Sequence, residues 1–177
     1  METEVMIQPP RTLLEVFKSL PEGTRVQLIE NKLVMSPSPK DRHQESLGEL
    51  FLQLLTYTRR KKLGKVRIAP YDVYLDRKNA YQPDLVFIAT ENLYKIQENG
   101  LHGAPDLVIE ILSPGTEKYD KGKKKAVYER CGVKEYWIVD PLTTNATGYT
   151  LQDRLFIEIA TATGVIASPL LATTFNI

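Results

Sequence analysis

The sequence predicts a mixed α/β (α+β) fold, a central mixed sheet flanked by helices, and three observations carry that reading. Apolar, β-branched runs of strand length recur at residues 84–89, 106–113 and 135–139. Between residues 40 and 62, Leu47, Leu50, Phe51, Leu54, Leu55 and Tyr57/Thr58 return at about 3.6-residue spacing, which is one long helix with a single apolar face. A second helical stretch falls between strands rather than after them, framed by Ser113-Pro114-Gly115-Thr116 and by Cys131-Gly132.

The remaining elements follow from local chemistry. Residues 1–10 are expected to be flexible, and acids at Glu2 and Glu4 do not give the basic-then-apolar order of a signal peptide. Residues 12–20 read as a short amphipathic helix ending before Pro21-Glu22-Gly23. Residues 26–29 and 33–35 read as a hairpin around Glu30-Asn31-Lys32, because asparagine tolerates the positive φ of a tight turn. Strands are further expected at residues 66–69, 72–75, 146–151 and 155–160, with a final segment near 165–171, and residues 90–100 as a loop or short helix. The core is expected from Leu50, Phe51, Leu54, Val86, Ile88, Val108, Ile109, Ile111, Trp137 and Val139.

At 177 residues with 42% hydrophobic content, the chain is expected to form one domain over residues 1–177 with a real core. No apolar stretch approaches the length of a membrane span. The lone Cys131 excludes an intrachain disulfide and fits a reducing, cytoplasmic setting. The net charge is only +1, but bases gather in Arg59-Arg60-Lys61-Lys62 with Lys65 and again across residues 118–125. Each run reads either as a solvated helix end complementing the macrodipole or as a phosphate-facing patch.

Two carboxylates stand where neighbours are apolar. Asp84 opens the run Leu85-Val86-Phe87-Ile88, and Glu110 shares a strand face with Val108 and Leu112 while Ile109 and Ile111 point the other way. A buried carboxylate is costly unless something positive meets it. Two acids on neighbouring strands suit a hard cation such as Mg2+ or Mn2+, with the Ile111 carbonyl able to complete the ligand set. Asp120, Lys124 and Tyr128 recur every fourth residue and line one helix face, so a lysine can point back at the acids. The structural reading stands beside this one: a turn aspartate, a strand glutamate paired with lysine, and a surface helix pair.

These segments, taken in order, resemble the Uma-two family of restriction-endonuclease-like proteins. The resemblance rests on Pro83-Asp84, Asp106 to Pro114, Tyr119-Asp120 with Lys124 and Tyr128, and the run Gly132 to Pro141; the hairpin from Gln27 to Pro37 and His43 extend it. It implies a PD-(D/E)xK nuclease fold, restriction-endonuclease-like, with Mg2+- or Mn2+-dependent cleavage of DNA. Carried over, Asp84 and Glu110 are the motif acids and metal ligands, with Ile111. The lysine expected two residues after the acid is replaced by Leu112, and the resemblance implies Lys124 from the following helix; Lys121 is the runner-up and Lys125 is adjacent but offset. Asn31-Lys32 stands where relatives carry glycine and glutamate.

His43 can contact phosphate or assist catalysis, but a helix-end cap or a surface position is the expectation. His102 lies alone in a loop, and Tyr136-Trp137 reads as sheet core. The leading expectation is a metal-dependent DNA endonuclease, with a homodimer implied by the need to cut two strands. The alternative is a nuclease-fold protein that binds nucleic acid or a protein partner without cutting.

Overall fold

The computed structural model describes residues 9–177, so most of the expected flexible start lies outside the described residues. Helix α1 (Leu13–Lys18) begins where Thr12 accepts a bond from the Glu15 amide, a side-chain cap of the ordinary N-terminal kind. Strands β1 (Val26–Leu28) and β2 (Leu33–Met35) form the expected hairpin, and its two-residue turn places both Glu30 (φ 47°) and Asn31 (φ 57°) in the left-handed region. Helix α2 (Asp41–Lys61) then runs for 21 residues and buries Leu47, Leu50 and Leu54 on one face.

Six strands follow before the acid-bearing one, and the first five are β3 (Gly64–Ile68), β4 (Val73–Asp76), β5 (Asn79–Tyr81), β6 (Leu85–Ala89), then β7 (Ile96–Gln97) after a 3-10 turn over Thr90–Lys95. Next come β8 (Gly100–His102) and β9 (Leu107–Ile111), all five of whose residues are buried. The second helical stretch divides into a π-helical turn over Tyr119–Lys124 and helix α3 (Lys125–Cys131), closed by Gly132 at φ 88°. Strands β10 (Glu135–Val139), β11 (Asn145–Gln152), β12 (Leu155–Thr163), β13 (Val165–Ser168) and β14 (Thr173–Asn176) complete the fold.

The fold is the expected mixed α+β type, but it holds two large sheets where one was expected. The principal sheet runs β12-β11-β10-β9-β6-β3, with β9 and β10 parallel and every other pair antiparallel. A parallel pair needs a crossover, and the π-turn with α3 supplies it. The second sheet, β2-β1-β5-β4-β8-β7, brings the N-terminal hairpin beside the principal one. Helix α2 packs on one face of the principal sheet with Leu107, Ile109, Ile111 and Trp137, while Val127 and Tyr128 of α3 join Val86, Val108 and Tyr136 on the other.

The expected core is buried except for Phe51, which is half-buried against the cluster because it sits at the edge of the helix face. Trp137 is fully buried, and it fills the space that a side chain at Gly148 would need: a Cβ there would lie 2.5 Å from the indole. This is why β11 carries glycine opposite the tryptophan.

Candidate active site

Antiparallel register places the two acids side by side. Leu85 of β6 pairs with Ile109 of β9, so one step further Asp84 comes level with Glu110, the closest cross-strand arrangement a sheet offers. On its other side the backbone of Asp84 extends the β3–β6 pairing by one step, since its carbonyl accepts from the Ala69 amide. The acids therefore meet at the end of the sheet, at a cleft of about 180 Å³ that Ile111, Lys124 and His43 also line.

Each carboxylate is held through one oxygen. Asp84 Oδ2 accepts from the Ile111 amide at 2.8 Å and pairs with His43 Nε2 at 3.2 Å. Glu110 Oε1 accepts from the Tyr128 hydroxyl at 2.7 Å and from Lys124 Nζ at 2.6 Å. Among the described residues no donor meets Asp84 Oδ1 or Glu110 Oε2, and neither is sealed away as a buried orphan. The site thus keeps one free carboxylate oxygen on each acid.

Lys124 is buried between two acids, since its ammonium also donates to Asp120 Oδ1 at 2.8 Å. Burial alone would lower its pKa, but the Asp120 and Glu110 carboxylates outweigh burial and push it above the ordinary lysine value, so it stays charged. Glu110 moves upward for burial first, with Asp120 and Asp84 adding to the rise against the lowering effect of Lys124. Negative charge exceeds positive here, and a further cation would relieve that excess.

His43 is a correction to the expected cap or surface role. The first turn of α2 packs against the sheet end, so position 43 faces Asp84 and is buried, whereas the cap position is Lys40, which makes no side-chain cap bond. Burial lowers the His43 pKa, yet the Asp84 hydrogen bond and charge, the Ile111 backbone and Glu110 together raise it. Its Nδ1 is buried with no partner among the described residues.

Lys121 points outward to Glu117 at 2.6 Å, with half of each side chain exposed, and Lys125 lies over the Tyr149 ring at 3.7 Å. Neither touches the acids. The run Arg59 to Lys62 lies at the opposite end of α2 from His43, roughly 25 Å along the axis at about 1.5 Å per residue. His102 stacks on Tyr74 at 4.7 Å and bonds Asn99. Two residues that sequence reasoning did not single out also line the cleft: Arg25, exposed at its mouth, and Gln27, which bonds Ser36 and the Gln82 amide. An adjoining groove of about 510 Å³ shares Pro37, His43 and Ser113 with the cleft.

The oxygen donors fit a hard divalent cation. Among the described residues no three His, Cys, Asp or Glu side chains cluster at metal-holding spacing. A cation here would use two carboxylates and draw its other ligands from backbone oxygen and water, which is how Mg2+ is commonly held.

Comparison with known proteins bears on this geometry. The crystal structure of a "putative nuclease belonging to DUF820" from Anabaena variabilis superposes with a TM-score of 0.74 at 21% identity, covering 92% of each chain, so the two share a fold. No curated protein matches the sequence. The family model described as "Uma2: Putative restriction endonuclease" matches residues 14–176, and the chain belongs to that family.

Proposed function

We propose that the protein is a nuclease that hydrolyses phosphodiester bonds of DNA with Mg2+ or Mn2+ as cofactor. One observation carries the reading: the donors to Asp84 and to Glu110 each converge on one oxygen and leave the other free at a shared cleft. Asp84, Glu110 and the Ile111 carbonyl would hold the cation. Such an ion polarises a phosphate oxygen and lowers the pKa of bound water.

The chain's own groups supply the rest. The Ile111 amide fixes the rotation of Asp84, and the Tyr128 hydroxyl does the same for Glu110. Lys124 acts as a fixed positive charge beside the reacting phosphate, stabilising charge that builds there. Its raised pKa suits that task and does not suit the role of a general base, since it gives up no proton near neutral pH. Arg25 at the cleft mouth offers a guanidinium for a flanking phosphate.

Single-turnover cleavage of duplex and single-stranded DNA, with Mg2+ or Mn2+, tests the proposal. Asp84→Asn and Glu110→Gln should each lower the rate by more than about 100-fold, beyond the 10–100-fold typical of residues that only support a metal ligand. Lys121→Ala should cut like the parent protein. Parent protein that binds DNA but cuts none of these substrates with either metal would favour the non-cutting alternative.

A further inference from the structure

We infer that Tyr128 is a positioning residue for the cation site: its hydroxyl fixes the rotation of Glu110, holding Oε1 toward Lys124 so that Oε2 faces the cleft. This inference rests on the metal reading proposed above and adds a residue to it.

Among the described residues the hydroxyl has one partner, Glu110 Oε1 at 2.7 Å, in a fully buried setting. The hydroxyl hydrogen points at a carboxylate oxygen, which is an acceptor, so the phenol is the donor of the pair. The ring cannot swing away easily. Tyr81 meets it edge-on at 5.5 Å and Tyr136 leans against it at 5.0 Å. The backbone of α3 carries it, and the neighbouring Val127 packs into the same cluster.

Lys124 alone would not fix the carboxylate. An ammonium is a compact charge that either glutamate oxygen can satisfy, and this one is already shared with Asp120 at 2.8 Å. A second donor on Oε1 breaks that symmetry between the two oxygens. Partners of this kind, one bond removed from a ligand, typically change metal affinity by 10–100-fold when lost.

A purely structural tyrosine would give a different result. If the hydroxyl only satisfied a buried acceptor, Tyr128→Phe would lower stability and leave cation affinity alone. Tyr136→Phe is the matched control: its hydroxyl is also buried in this ring cluster but donates to the Asp120 backbone carbonyl at 3.0 Å and not to Glu110.

The experiment is Mn2+ titration followed by electron paramagnetic resonance of free Mn2+, on parent, Tyr128→Phe and Tyr136→Phe proteins whose folding is checked by near-ultraviolet circular dichroism. The inference expects a 10–100-fold weaker dissociation constant for Tyr128→Phe and less than a 3-fold change for Tyr136→Phe. Equal affinity in parent and Tyr128→Phe would overturn the role of Tyr128 and leave the metal reading standing. Parent protein that binds no Mn2+ would overturn the metal reading and this inference with it. Should Tyr128→Phe not fold, a crystal structure of the parent with Mn2+ decides: the ion on Oε2 with the phenol still on Oε1 supports the inference, and the ion on Oε1 overturns it.

Discussion

Strand β9 has a buried carboxylate at each end, and the two live in opposite surroundings. Asp106, just before the strand, accepts from the Ala89 amide at 2.7 Å, from Asn92 and from Lys134 at 2.7 Å. Burial alone would raise its pKa, but these donors outweigh it and hold the carboxylate below the usual range. Glu110 is as deeply buried, and there burial, with Asp120 and Asp84 adding to it, outweighs the lowering effect of Lys124, so its pKa moves up. Both oxygens of Asp106 are satisfied, whereas Glu110 keeps Oε2 free. Burial of an acid therefore does not mark a site; surplus negative charge with an open oxygen does.

The largest effect expected from breaking this contrast comes at Lys124. Lys124→Ala leaves Glu110 and Asp120 buried without their shared cation, which should cost about 3–5 kcal/mol at neutral pH. The loss should shrink as the pH falls, because Glu110, whose pKa is raised by burial first, takes up a proton and no longer needs the cation; urea unfolding at two pH values measures it. The same substitution at the exposed Lys121 should stay within about 0.5 kcal/mol.

A smaller and sharper test separates the two acids. Asp106→Asn should destabilise by about 2–3 kcal/mol at neutral pH, through weakened charge-assisted bonds. With a depressed folded pKa, Asp106 contributes stability above its unfolded value near 3.9 and loses it as pH falls through the folded value, so the variant should lose less on acidification than the parent. Glu110 has the reverse sign. Its folded pKa is raised, so the unfolded chain ionises first and stability drains away as pH rises above the ordinary glutamate value near 4.3. Glu110→Gln should accordingly gain on the parent between pH 5 and pH 8, each read from chemical denaturation curves.

The smallest effect is expected far from the cleft. Replacing Arg59, Arg60, Lys61 and Lys62 with alanine should weaken DNA binding alike across sequences and flatten its salt dependence, because phosphate contacts release counterions. The cluster's distance from His43 adds a constraint: the cleavage rate at saturating DNA should not change.

Much of this arrangement was legible in the sequence where local periodicity governs. The 3.6-residue repeat marked α2, β-branched runs marked β6, β9 and β10, and the four-residue spacing of Asp120, Lys124 and Tyr128 marked the face that meets Glu110. The second sheet was not legible. Its β5, β7 and β8 are two or three residues long, and Asn79 and Gly100 carry no strand signal of their own. The strand over Thr173–Asn176 was missed for a similar reason, since only Phe175 of its four residues is buried. His43 could not be placed either, because its partner Asp84 is distant in sequence and only the docking of α2 on the sheet end joins them. Arg25 gave no signal, being an exposed residue just before a short strand.

The central claim, that Asp84 and Glu110 form a cation site while Asp106 is structural, is tested most directly by thermal unfolding with and without Mn2+. A ligand that binds only the folded state raises stability by about 2.7 kcal/mol at 100 times its dissociation constant. Mn2+ should therefore raise the Tm of the parent protein and of Asp106→Asn, despite the latter's lower starting point, and should leave Asp84→Asn and Glu110→Gln unmoved. A Tm rise in Glu110→Gln equal to the parent's, or its loss in Asp106→Asn, would contradict the account.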